Sequence, residues 1–169
     1  MLSERLLEGL NDQINYEFLS AHYYLAMAAY CADQDLDGFA NFFVVQAEEE
    51  RFHAMKFYNF VNELDGRVKI TGIENVKNDY ESILDVFKSA LAHEKTVTKR
   101  IYNLTDIATE EREHATISLL KWFVDEQVEE EASMKSILKR LERLGDDIHG
   151  VYMLDQELAQ RTFVPPTNA

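Results

Sequence analysis

"DGRVKITGIENVKN", Asp65 to Asn78, lies between two long amphipathic stretches and is rich in Gly, Val and Ile where a helix would not be. It is too long for a simple turn. The flanking stretches each predict a helix of about 28 residues, roughly 42 Å at 1.5 Å per residue. Fourteen extended residues at ~3.3 Å each span about the same length. The segment can therefore run from one end of a helical bundle to the other, which makes the helices before and after it parallel. The other connections are short, so they predict antiparallel hairpins.

Outward from that crossover, 3,4-spaced stripes define four helices. The first is capped by Ser3 and carries Leu7, Leu10, Ile14, Glu17, Ala21, Tyr24 and Ala28. After the turn-forming "DQDLDG", the second carries Phe39, Phe43, Gln46, Glu50, His53, Phe57, Phe60 and Leu64. Asn78 and Glu81 resemble a capping pair for the third, whose stripe is Leu84, Phe87, Leu91, Glu94, Thr98, Ile101, Thr105 and Ala108. Thr109, followed by Glu110 and Glu111, opens the fourth, with Thr116, Leu120, Phe123, Gln127, Glu130, Met134, Ile137, Leu141 and Leu144, and Gly145 stops it. A short fifth helix follows, interrupted near Gly150. The expected spans are 4–32, 38–64, 80–108, 110–144 and 147–160, in a single all-α domain over 1–169.

Composition narrows the partners. A net charge of −14 disfavours nucleic acid and anionic membrane and favours cations. Cys31 is the only cysteine, which excludes an internal disulfide framework and a thiolate metal knot and points to a reducing cytoplasm. The opening "MLSERLLEGL" carries acids and lacks a long apolar run, and no uncharged apolar stretch approaches the ~20 residues that span a bilayer. An unprocessed soluble protein is the expectation.

Each stripe is apolar except near its middle, where Glu17, Glu50 with His53, Glu94, and Gln127 with Glu130 intrude. Glu17 to Glu50 is 33 residues and Glu94 to Gln127 is again 33; an offset of 77 carries Glu17, Glu50 and His53 onto Glu94, Gln127 and Glu130. The two hairpins therefore read as copies of one unit, and folding them near Gln34 and Glu111 sets all six side chains at one height. A single Glu on a helix stripe is ordinarily a solvated boundary residue. Four converging carboxylates are different, because they repel and desolvate one another unless cations sit between them. Two divalent ions balance Glu17, Glu50, Glu94 and Glu130. The i, i+3 spacing puts Glu50 and His53 on one face, and oxygen ligands with one imidazole suit iron or manganese better than calcium or thiolate zinc.

Those residues resemble the bacterial non-haem ferritins, over essentially the whole chain. The resemblance implies a ferritin-like four-helix bundle with a long crossover and a short fifth helix. It further implies a ferroxidase centre in which Glu17, Glu50 and His53 hold a first iron and Glu50 bridges to a second, held by Glu94 and Glu130. Gln127 is then a hydrogen-bonding neighbour, and Glu49, Glu126 and Glu129 match a third iron site. A hollow shell of 24 subunits that oxidises Fe(II) with O2 or peroxide and stores a ferric oxyhydroxide mineral is implied as well. Haem-carrying bacterioferritins repeat Glu-x-x-His on the fourth helix and place a methionine before the histidine of the second; Gln127-x-x-Glu130 and Phe52 stand there instead, so no haem is expected. Having fewer donors, the second metal position should hold iron less tightly, making the pair a passing substrate.

Tyr24, two turns from Glu17, is a candidate electron donor or ligand hydrogen-bonder, with core packing as the rival role. Trp122 is expected to lie near the site. His22, His93, His114 and His149 fall off the stripes and read as surface residues. Glu110, Glu111 and Glu113 are candidates for an iron entry route, although capping accounts for the first two equally well. Rival classes are a substrate-oxidising di-iron carboxylate enzyme, which needs an apolar pocket beside the same ligands, and a metal-free structural bundle, which leaves the buried acids unexplained. Mini-ferritins of starved cells build their site between subunits and fit less well.

Overall fold

Four of the helix ends are set by a residue in the left-handed region: Asp35, Asp65, Arg112 and Gly145, with φ between 52° and 57°. Such a residue lets later amide groups turn back onto the last carbonyls of the helix. The first three ends close that way through Leu36 N to Cys31 O, Gly66 N to Val61 O and Glu113 N to Ala108 O, at 2.9–3.0 Å. In the computed structural model, which describes residues 2–167, the helices so delimited are α1 (Glu4–Asp33), α2 (Asp37–Glu63), α3 (Ile83–Glu110), α4 (His114–Leu144) and α5 (Ile148–Leu158). No strand occurs among the described residues.

Three expectations about helix ends need correction. α3 begins at Ile83, because Ser82 accepts from Asp85 N at 3.1 Å while Asp85 accepts from Glu81 N at 3.1 Å; Asn78 lies in the crossover. Thr109 belongs to α3, where its hydroxyl donates to Thr105 O at 2.7 Å, and α4 starts instead behind Glu113, whose carboxylate accepts from Thr116 N at 2.7 Å. Helix α5 runs unbroken through Gly150, which lies so close to α4 that a Cβ there would sit 2.3 Å from Leu144 Cδ2. Ser3 caps α1 as expected, accepting from Leu6 N at 3.0 Å.

Cross-helix pairs fix the directions. Arg5 meets Glu110, Gln13 meets Arg100 and Ser20 meets His93, so α1 and α3 are antiparallel. Since α1 and α2 form a hairpin through the turn at Asp35, α2 and α3 are parallel, as the long crossover requires. That crossover is stapled to α1 by two asparagine amides. Asn11 accepts from Lys69 N at 2.7 Å and donates to Arg67 O at 3.0 Å; Asn15, one turn on, accepts from Thr71 N at 2.8 Å and donates to Lys69 O at 2.8 Å. Each amide presents a donor and an acceptor to the extended backbone, as a neighbouring strand would.

The interior has two apolar clusters. One contains Tyr24, Met27, Phe39, Phe43, Phe87 and Met134; the other contains Leu6, Leu10, Ile14, Phe57, Ile101 and Phe123. Between them lies the polar layer, so the hydrophobic core is divided at mid-height. The stripe of α4 is buried from Thr116 to Leu141, whereas on α3 the buried positions include Val97 and Leu104 in place of Thr98 and Thr105.

Candidate metal centre

Glu17, Glu50, His53, Glu94, Gln127 and Glu130 are all between 0 and 5% exposed. The hairpins bring all six to that one layer. Burial first, and the neighbouring Glu50 charge second, push the Glu17 carboxyl well above the ordinary value near 4.5. Glu50 and Glu130 are likewise pushed well up, by burial first and by the Glu94 charge next, and burial raises Glu94. Without compensating positive charge such a layer favours protons over ionised oxygens.

Ligand-capable atoms of Glu17, Glu50 and His53 lie within 4.8 Å of one another, and those of His53, Glu126 and Glu130 form a second such group. His53 Nδ1 is 3.4 Å from Glu50 Oε2. Glu17 Oε1 accepts from Gln13 Nε2 at 2.7 Å, but Glu17 Oε2, fully buried, has no hydrogen-bond partner. A buried carboxylate oxygen left in that state costs on the order of 1–3 kcal/mol unless something binds it. The donor set and the orphaned oxygen both fit a cation of the hard, oxygen-preferring kind.

Glu94 belongs to neither close group. The Tyr24 hydroxyl donates to its Oε1, and Gln127 Nε2 donates to its Oε2 at 3.1 Å. Tyr24 is thus both a core residue, stacked 5.9 Å from Phe43, and a hydrogen-bond donor to a candidate ligand. Of the three outer acids, Glu126 is half-buried and turned toward His53 and Glu130, Glu129 is exposed, and Glu49 is ion-paired with Arg161 at 2.8 Å. Trp122 lies edge-on to His53 with ring centroids 5.6 Å apart.

His93 is not a surface residue. It sits against Tyr23 (5.0 Å) and Tyr16 (5.5 Å), Nε2 lies 2.7 Å from Ser20 Oγ, and burial pulls its pKa down to about 4. Only its four partners on α1, Tyr16, Ser20, Tyr23 and Tyr24, all distant in sequence, reveal this. His22, His114 and His149 are exposed as expected. Glu110 and Glu111 are engaged by Arg5 and by the Ser3 hydroxyl, at 2.8 and 2.6 Å, and Glu113 is the α4 cap.

The hydrogen-bonding roles of Gln13 and Gln46 were the part of the site least visible in the pattern. Gln46 Nε2 donates to Glu50 Oε1 at 3.1 Å and to Glu130 Oε2 at 2.8 Å, crossing from α2 to α4. Gln13 does the same for Glu17, and the available signal was the repeat itself: Gln13 and Gln46, four residues before Glu17 and Glu50, are also 33 apart.

Fold and site together define an all-helical bundle whose interior carries a carboxylate and histidine layer suited to a metal. A family model described as a ferritin-like domain matches residues 7–144. A bacterial non-heme ferritin of Staphylococcus aureus (strain MRSA252) is 50% identical over 163 residues, 96% of this chain and 98% of that one, and its counterpart in Staphylococcus haemolyticus (strain JCSC1435) is 49% identical over the same shares. Among solved structures, a closed form of the Archaeoglobus fulgidus ferritin engineered by site-directed mutagenesis superposes with a TM-score of 0.96 at 44% identity, covering 97% of this chain and all of that one. The open pore ferritin of the same archaeon gives 0.95 at 44%, covering 96% of this chain and all of that one. The chain belongs to the ferritin family.

Proposed function

We propose that this chain oxidises Fe(II) at a dinuclear centre inside each subunit and passes the ferric product to a mineral store, Fe(II) being substrate rather than resident cofactor. Glu17, Glu50 and His53 take one ion; Glu50, Glu94 and Glu130 take the other. Gln127 and Tyr24 hold Glu94 by hydrogen bonds. The observation that carries the reading is Glu17 Oε2, buried and unpartnered beside Glu50 and His53, an oxygen whose cost a cation removes.

Each of two Fe(II) ions gives one electron, and O2, taking two electrons and two protons, leaves as hydrogen peroxide. The anionic oxygens favour Fe(III) over Fe(II), because the higher charge gains more from the same carboxylates. The store in this reading is a hollow shell of 24 copies in the cytoplasm, a reading supported by membership of the ferritin family and by the likeness to solved ferritins. No helix among the described residues is long and apolar enough to cross a membrane. Against an organic substrate for the same irons stand the rings above and below the layer: Phe43 and Tyr24 stacked on one side, Phe57 and Phe123 stacked at 3.9 Å on the other.

The test is an anaerobic Fe(II) titration followed by admission of oxygen. Rapid ferric absorbance saturating near two irons per subunit is expected, with loss in Glu17→Ala and Glu50→Ala. Ferric absorbance rising no faster than iron alone in buffer would refute oxidation at this site, and electron micrographs of small particles instead of hollow shells would refute storage.

A further inference from the structure

The chain beyond α5 returns to the centre. Asn41 Nδ2 donates to the carbonyls of Leu158, Ala159 and Arg161, at 3.1, 3.3 and 2.9 Å, and lays this segment along α2. Arg161 then reaches inward. Its Nη1 donates to Phe42 O at 3.2 Å, its guanidinium lies 4.3 Å over the Phe42 ring, and its Nη2 donates both to Gln46 Oε1 at 3.0 Å and to Glu49 Oε2 at 2.8 Å.

A guanidinium has donors and no acceptor. Facing Arg161, the Gln46 amide can therefore present only its oxygen, and its NH2 group must point to Glu50 and Glu130, where both hydrogen bonds are found. Arg100 and Gln13 repeat the device on α1: Arg100 Nε donates to Gln13 Oε1 at 3.0 Å, and Gln13 Nε2 faces Glu17. Only the Arg161 couple also ties up an outer acid. Glu49 is one of the acids for which the resemblance to bacterial non-haem ferritins implies a third iron position, and an ion pair in this half-buried setting competes directly with any cation for the same oxygen.

We propose that Arg161 is a positioning residue that fixes the Gln46 amide against Glu50 and Glu130 and, by holding Glu49, keeps the outer cation position weak. This rests on the dinuclear reading of the centre. Removal of the guanidinium frees Glu49 to join Glu126 and Glu129 around a further ion.

Calorimetric titration of metal-free assembled protein with Zn(II), which has no redox chemistry, tests this independently of iron oxidation. Wild type is expected to take about two Zn(II) per subunit tightly, the content of di-metal carboxylate bundles. Arg161→Gln is expected to take a third, bound at least roughly tenfold more tightly than any third ion in wild type, the effect of about 1.4 kcal/mol of lost competition. Arg161→Lys, which keeps a positive charge beside Glu49, should stay close to wild type, and Glu49→Gln combined with Arg161→Gln should lose the third ion. An Arg161→Gln isotherm superimposable on wild type, with particle size and melting temperature unchanged, overturns the assignment; so does a third ion that survives the double substitution. Should Arg161→Gln fail to assemble, Glu49→Gln alone decides: an unchanged isotherm supports the proposal, because Glu49 is already engaged, and weakened binding of the first two ions overturns it. Wild type that binds no Zn(II) tightly would overturn the dinuclear reading and this inference together, whereas two tight ions in wild type without a third in Arg161→Gln overturn the role of Arg161 alone.

Discussion

Replacing Glu17 by Gln should make the metal-free protein more stable at neutral pH while it disables the centre, and the size of the effect follows from the burial of one carboxyl. Glu17 is fully buried, with Oε1 accepting from Gln13, Oε2 meeting no donor and the carboxyl lying against that of Glu50, and burial together with Glu50 raises its pKa well above 4.5. The folded state thus keeps a proton that the unfolded state gives up. The contribution of such a group is complete below about pH 4.5 and is lost as pH rises through the elevated folded value, at up to about 1.4 kcal/mol per pH unit. Glu50, Glu94 and Glu130 add slopes of the same sign. Glu113 and Glu131, whose values are lowered by hydrogen bonds outweighing burial, act in the opposite sense: their contribution is lost as pH falls through those lowered values, so it does not offset the loss above pH 4.5. A neutral glutamine of nearly the same shape removes one titrating group, so the pH slope of stability above pH 4.5 should become shallower by up to about 1.4 kcal/mol per unit. Denaturation midpoints of chelator-treated protein, at fixed protein concentration and several pH values between 5 and 8, measure it. Saturating Zn(II) should reverse the wild-type trend, because ligation needs deprotonated carboxylates. Parallel profiles for wild type and Glu17→Gln, with and without metal, would show that this carboxyl is not held protonated by burial and would refute the reasoning.

Other outcomes are equally checkable. Tyr24→Phe removes the hydroxyl that donates to Glu94 and should cost on the order of 1 kcal/mol in denaturant titrations, slow ferric absorbance in stopped-flow, and leave Zn(II) stoichiometry unchanged. Asn11→Ala takes away both hydrogen bonds to the crossover at Arg67 and Lys69, and should cost roughly 1–3 kcal/mol and bring early proteolytic cleavage within 66–80, read by mass spectrometry. Phe57→Ala opens a space against Phe123 below the carboxylate layer and should destabilise by about 3–5 kcal/mol, with iron oxidation falling less than it does in Glu50→Ala.

Much of this molecule was legible before any coordinates. The stripes, the crossover length and the repeat of 33 residues placed Glu17, Glu50, His53, Glu94, Gln127 and Glu130 at one height, because helical periodicity is a local property and two similar hairpins carry equal residue spacing into equal level. Helix ends were less legible. Asp35, Asp65 and Arg112 adopt the left-handed conformation that sequence alone assigns to glycine, and Ser82 and Glu113 cap helices expected to start earlier. What only the tertiary structure decided are the polar partners: Asn11 and Asn15 gripping the crossover, His93 enclosed by tyrosines of α1, and Arg161 turning Gln46 toward the carboxylates while taking Glu49. Those contacts join residues more than fifty positions apart, where no period marks them, and they depend on a donor meeting an acceptor within about 3 Å or, around His93, on rings brought face to face. Periodicity sets the face and height of a side chain on its own helix; only the packed bundle sets which group arrives from elsewhere to meet it.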